Sequence, residues 1–302
     1  MNSKQRDKLL FSVIGKDPIL TLLTARFLDL DGNVLIHKPE TRVEAQRLEK
    51  VMSGSSLFEV TSQEFYKSHL QVIAFLDPTA DYHFNLSDGP RNLTLISTLI
   101  WNLVKTPLYI LKRESGAYKL YTYLFEDGKF QPPEEQLLPG LLTLEEYLHV
   151  CVGSYAQIDP TSRLVEGRQE IRDIILSFLK ILRRTSAADE DMIGIKLTGP
   201  REEITLDLVV RKRNQVKVII FRRETDDLSR AVEHLVTAGQ ESYLGPQTNR
   251  FLVIVGSLDN AELFSNAKAQ GISIISLDHN LADNRQDEGV QMMLREIMSV
   301  QD

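Results

Sequence analysis

Through the first third of the chain, short apolar runs alternate with stretches whose apolar residues recur at helical spacing. Leu9–Ile14, Val34–His37, Leu57–Val60, Tyr82–Leu86 and Leu108–Lys112 predict strands; Pro18–Leu28, Thr41–Met52, Gln63–Phe75 and Arg91–Val104 predict helices between them. This strand–helix–strand rhythm builds a parallel sheet with helices on both faces. Tyr118–Phe125 predicts a last strand or hairpin arm, ending at Glu126-Asp127-Gly128.

Gln131-Pro132-Pro133 and Leu138-Pro139-Gly140 then interrupt the pattern, which places a junction within residues 128–165, with a short helix at Thr143–Val150 inside it. The second half has a different order: helix Glu166–Leu182, strand Met192–Leu197, a hairpin of Glu203–Arg211 and Gln215–Arg222, helix Leu228–Ala238, strand Phe251–Val255, helix Ala261–Ala269 and strand Ile272–Leu277. A final helix near Gly289–Met298 would pack through Val290, Met293, Leu294, Ile297 and Met298. The expected fold class is α/β: a Rossmann-like domain with a parallel sheet over residues 1–130, a linker with a short helix over 131–165, and a second α/β domain over 166–302, antiparallel at its start and parallel at its finish.

In parallel α/β sheets, ligands bind beyond the carboxyl ends of the strands. Gly15-Lys16-Asp17-Pro18, Lys38-Pro39-Glu40-Thr41 and Ser87-Asp88-Gly89-Pro90-Arg91 each follow a strand and open a helix. The last is the most informative: N–H groups at a helix start seat an anion, and Arg91 adds charge at the mouth. A phosphate-bearing ligand is the expectation, with Gly15, Lys16, Lys38, Ser87, Gly89 and Arg91 as its binding residues. The plainer alternatives are a capped turn, two solvated lysines and, for His37, a packing residue.

Size and composition narrow the field. The chain has 302 residues, enough for two cores, and its 42% hydrophobic and 25% charged content is that of a globular protein. No apolar run reaches the roughly 18 residues that span a bilayer, and the first residues lack a secretory pattern, so no membrane partner and a cytoplasmic location are expected. Cys151 is the single cysteine and reads as a buried apolar residue. A net charge of −7 argues against coating nucleic acid non-specifically.

Taken together, Val13-Ile14-Gly15-Lys16-Asp17-Pro18 and Asn85-Leu86-Ser87-Asp88-Gly89-Pro90-Arg91 resemble two motifs of the CRISPR ancillary effectors that join a CARF domain, a CRISPR-associated Rossmann fold, to a restriction-endonuclease-like PD-(D/E)XK domain. The family's second loop has the form Asn-Leu-Thr-Gly-Gly-Thr-Lys. Ser87, Gly89 and Arg91 keep its hydroxyl, a glycine and the cation; Asp88 and Pro90 depart from it, and a carboxylate beside a phosphate repels it unless a cation intervenes. The resemblance implies antiviral defence, a homodimer, and a cyclic oligoadenylate bound where two Rossmann-like domains meet. A two-fold interface presents each loop twice and so doubles Lys16 and Arg91 around the ring.

The same resemblance implies a metal-dependent nuclease site on the hairpin, made by an Asp on one strand and an acid, a spacer and a lysine on the next. Leu206-Asp207-Leu208-Val209-Val210 supplies the Asp, whereas Ile220 stands at the acid's place and Arg222 at the lysine's. Asp207, Arg222 and Glu170 on the preceding helix are therefore the family's catalytic positions in a pseudonuclease, and Asp207 with Arg222 as an ion pair is the plain reading. No cofactor is expected; magnesium or manganese on Asp207 enters only in the alternative, an active endonuclease in which a bulge swings Glu224 toward Asp207. A non-catalytic scaffold is a further alternative. Arg211-Lys212-Arg213, with Lys217, Arg222 and Arg223, could follow a DNA or RNA backbone or be a solvated hairpin.

Overall fold

A computed structural model describes residues 6–114, 116–158, 169–200, 202–257, 260–277 and 286–299. Two compact units emerge, one running to Leu142 and including His149–Cys151, the other comprising Thr143–Leu148 and the chain from Val152 onward.

The first unit contains β1 (Lys8–Val13), α1 (Pro18–Leu28), β2 (Gly32–His37), α2 (Arg42–Val51), β3 (Ser55–Glu59), α3 (Phe65–Phe75), β4 (Asp81–Asn85), α4 (Arg91–Val104), β5 (Leu108–Glu114), β6 (Ala117–Tyr123), β7 (Phe125–Glu126), β8 (Lys129–Phe130) and β9 (Glu134–Leu137). The main sheet has the order β3-β2-β1-β4-β5-β6-β9, parallel from β3 to β5 and antiparallel thereafter. As an interior strand between β2 and β4, β1 is apolar on both faces, with Leu10 and Phe11 fully buried. Phe11 packs on Phe84 with ring centroids 4.9 Å apart, and burying one such side chain stabilises by about 1.5–3 kcal/mol. Helix α4 shows why its span was readable: Leu93, Ile96, Ile100 and Trp101 recur at helical spacing and are buried against the sheet.

The segment read from sequence as a linker contributes more than a helix. β9 extends the sheet on β6, and Lys119 reaches Glu135 across the pair at 2.7 Å. Every residue of β9 is exposed, so no apolar alternation announces this edge strand, and its charges and flanking prolines suit an edge. The expected short helix is α5 (Leu144–Cys151), started by a capping box between Thr143 and Glu146.

The second unit continues with β10 (Tyr155–Gln157), α6 (Gln169–Arg184), β11 (Glu190–Thr198), β12 (Glu203–Lys212), β13 (Gln215–Arg223), α7 (Leu228–Ala238), β14 (Asn249–Val255), α8 (Ala261–Ala269), β15 (Ile272–Leu277) and α9 (Gln286–Ser299). The part of the predicted helix at Glu166–Arg168 lies outside the described residues. The sheet runs in chain order from β10 to β15, antiparallel as far as β13 and parallel beyond. Ile174, Phe178 and Leu182 of α6 and Val290, Met293 and Ile297 of α9 share a core with Leu208, Val210, Ile219 and Phe221. Among the described residues no helix is long and apolar enough to cross a membrane.

Candidate functional site

In the first unit the chain adds β2 and β3 on one side of β1, then crosses back to place β4 on the other. The loops after β1 and β4 therefore leave in opposite directions and open a crevice between them. A cavity of about 380 Å³ lies there, lined from three strand ends by Gly15 and Lys16, by Lys38, Glu40 and Thr41, and by Asp88, Gly89, Pro90 and Asn92. Four of the six expected binding residues, Gly15, Lys16, Lys38 and Gly89, thus face one space. Gln63, just past β3, also lines it; nothing in its sequence context marks it, whereas Asp88 and Asn92 stand inside the motif.

Two glycines shape the floor. Gly89 has φ +119° and packs so closely on β1 that a Cβ would lie 2.3 Å from Val13 Cγ1. Gly15 leaves room for the Asp88 carboxylate, whose Oδ2 accepts the Asp17 N–H at 2.7 Å. This bond ties the β1–α1 turn to the β4–α4 turn. At the start of α4 the N-cap residue, Pro90, makes no side-chain cap, while Asn92 Oδ1 accepts the Leu93 N–H at 2.9 Å; Pro90 and Asn92 place this helix start beside the cavity.

The two lysines differ in their freedom. Lys16 is half exposed and donates to Glu40 O at 2.8 Å and to Glu44 Oε1 at 3.1 Å. Lys38 is buried; its Nζ donates to Ser62 O and, at 3.4 Å, to Ser68 Oγ. Lost hydration pushes the Lys38 pKa below the ordinary lysine value, a shift that Glu40 opposes. Thr41 precedes α2 without a side-chain cap; its hydroxyl accepts the Lys38 N–H instead.

Ser87 and Arg91 stand apart from the cavity lining. Ser87 donates its hydroxyl to Asn85 Oδ1 and accepts the Leu111 N–H at 2.7 Å, while Asn85 reaches Ser12 Oγ at 3.2 Å. The Ser87 hydroxyl thereby joins β4 to β5. Arg91 is exposed at the first position of α4.

On the second unit's hairpin, Asp207 is buried in β12 and accepts the Phe221 N–H at 2.7 Å and Arg222 Nη1 at 2.9 Å, both on Oδ2. One step beyond the pair Leu208↔Ile219, its opposite position is Ile220, fully buried. Leu208 and Phe221 face the core shared with α6, so by alternation Asp207 and Ile220 face the other side, where α7 contacts β12 and β13. Glu170 is exposed on the first turn of α6, a helix that packs on the Leu208 and Phe221 face of the sheet, opposite to Asp207. Glu224 follows an unbroken β13–β14 register and lies over Gly256, where a Cβ would be 2.5 Å from its Oε2. Among the described residues no three His, Cys, Asp or Glu side chains are grouped to hold a metal.

Two members of the basic cluster meet acids that the linear reading does not show, and a third is held by a backbone carbonyl. Arg211 is buried between Asp189 at 3.4 Å and Glu190 at 3.0 Å, Lys212 pairs with Asp189 at 3.4 Å, and Lys217 donates to Ile297 O at 2.7 Å inside the core.

A Rossmann-like unit with a parallel sheet and a second α/β unit whose sheet starts antiparallel and finishes parallel make up the expected fold class. Two solved structures share this fold along nearly the whole chain. Protein VC1899 from Vibrio cholerae matches at a TM-score of 0.69 and 11% identity, covering 97% of this chain and 98% of its own. Can2 from Sulfobacillus thermosulfidooxidans, solved in complex with cyclic tetra-adenylate, matches at a TM-score of 0.69 and 11% identity, covering 96% of this chain and 99% of its own. The sequence matches no family model and no curated protein.

Proposed function

We propose that the chain is a homodimeric CRISPR-associated sensor of a cyclic oligoadenylate, whose second unit is a nuclease-like effector that has lost metal-dependent cleavage. The cavity at the switch point carries this reading: it combines two lysines, two glycine-shaped turns and the start of a helix at the place where this fold seats nucleotides. The fold shared with Can2, which holds cyclic tetra-adenylate, supports the ligand class. Loss of cleavage is supported by Ile220 opposite Asp207, by the Arg222 ion pair and by Glu224 over Gly256.

Self-association has its own support. Leu95, Leu99 and Leu103 form an exposed stripe on α4, 52%, 43% and 73% accessible, beside Tyr66, Leu70 and Ile73 on α3, which α4 contacts. Contiguous apolar surface of this kind marks an interface. Because α4 starts at the cavity, a second copy on this stripe brings two cavities together around one ring.

A ligand that binds only the folded state raises its melting temperature. Cyclic tetra- or hexa-adenylate is expected to do so, and the absence of a shift with both rings would overturn the sensor reading. Incubation of supercoiled DNA and of RNA with magnesium or manganese is expected to give the same background for wild type and Asp207→Ala. Ligand-dependent cleavage by the wild type alone would restore the nuclease.

A further inference from the structure

Asp88 stands where the loop motif it resembles has glycine, and the fold gives its carboxylate a defined seat. Oδ2 accepts the Asp17 N–H at 2.7 Å. The missing side chain of Gly15 makes the space, since a Cβ there would lie 2.2 Å from Oδ1. Asp88 lines the cavity, yet no cation among the described residues pairs with its carboxylate: Lys16 turns to Glu40 and Glu44, and Lys38 to Ser62 and Ser68. Oδ1 receives no donor from the protein among the described residues.

A carboxylate so placed repels a phosphate and attracts a hydrogen-bond donor. Resting on the sensor reading above, we infer that Asp88 Oδ1 accepts a hydrogen bond from the nucleoside part of the ring, which makes Asp88 a specificity-determining residue. The ring phosphates lie toward Lys16, Lys38 and the start of α4, and Asp88 sets the ring's orientation by excluding a phosphate from its own side. Two groups of an adenylate have the required chemistry, the ribose 2′-hydroxyl and the exocyclic amine of the base. A site built to accept a donor rejects an analogue that lacks it, because its own polar group is then left unpaired.

Calorimetric titration of the full chain with cyclic tetra-adenylate, its 2′-deoxy analogue and cyclic tetra-inosinate separates the two donors. One analogue is expected to bind wild type about ten- to a hundredfold more weakly than the natural ring. In Asp88→Asn the amide oxygen still accepts the Asp17 N–H, but the other position becomes a donor; the discrimination is expected to shrink to within about threefold or to reverse. Asp88→Gly, which brings the motif's own residue to this place, is a second variant with the same expected loss. Equal binding of all three rings by wild type, or full discrimination retained in either variant, would overturn the inference and leave the sensor reading standing. If wild type binds none of the rings, the sensor reading fails and takes the inference with it.

Discussion

The two units handle charge near a β-strand in opposite ways. In the first, Lys16, Lys38 and Asp88 stand at or just past strand ends, held by turns and backbone groups, and a cavity stays open among them. In the second, Asp207 lies inside a strand, buried, with Arg222 and the Phe221 N–H turned onto it. A charge within a sheet must be neutralised by the protein itself, because burying it alone is too costly. Of the charges gathered beyond the strand ends, Lys16 and Asp88 keep contact with solvent and remain available to a ligand, whereas Lys38 is buried and held by Ser62 O and Ser68 Oγ.

The strongest way to break this contrast is Asp207→Ala. It leaves the Phe221 N–H without its acceptor and a mostly buried guanidinium, still donating to Phe221 O, without its counter-charge, and urea denaturation is expected to show a loss of about 2–4 kcal/mol. A carboxylate kept for a metal predicts the other sign, since removing an unneutralised buried charge stabilises the metal-free protein. A gain in stability would therefore contradict the paired role of Asp207.

Next comes Gly89→Ala, expected to cost about 2–3 kcal/mol because φ is +119° and the added methyl meets Val13. Gly128→Ala is the control: φ is +77° there but nothing lies within 4 Å, so about 1 kcal/mol of backbone strain is all it loses. Equal costs at both would mean that the close approach of the cavity floor to β1 contributes nothing. Lys16→Ala should be smaller still in stability, within about 0.5 kcal/mol for a half-exposed ion pair, while weakening cyclic tetra-adenylate about tenfold by titration calorimetry. An unchanged affinity would remove Lys16 from the site.

How much of this was legible follows the same division. The spans of α1, α4, α7, α8 and β15 were readable to the residue because apolar periodicity and helix-stop residues agree there. The crevice was readable because strand-to-helix loops in a parallel sheet collect at one end, although the switch at β1 and β4 is a property of pairing and not of any one segment. β9 was hidden because all its residues are exposed. The inward turn of Ser87 was hidden because its partners, Asn85 and Leu111, are fixed by the β4–β5 pairing. The pairing of Arg211 was hidden because its acids, Asp189 and Glu190, are more than twenty residues away in sequence.

His83 offers a third treatment of a polar residue in a strand, and the smallest predicted effect. It lies buried in β4, with Nδ1 3.2 Å from the Tyr109 hydroxyl and its ring stacked on Tyr109 at 6.0 Å. Unlike Asp207 it has no close counter-charge: Asp81 is 3.9 Å from Nε2. Burial holds its pKa below the ordinary histidine value, with Lys8 acting in the same direction and Asp81 against it. The folded chain therefore resists a proton that the unfolded chain accepts. Above the unfolded pKa, about 6.5, both states are neutral and His83 adds no pH dependence. As pH falls below that value the unfolded state binds more protons and stability declines, levelling off only once the folded pKa is passed. Denaturation midpoints across this window should decline more steeply for wild type than for His83→Gln, the two curves running parallel above it. Parallel curves throughout would mean that His83 takes up its proton equally in both states, and a shallower decline for wild type would mean that this strand, like the hairpin of the second unit, stabilises its polar residue in the charged form.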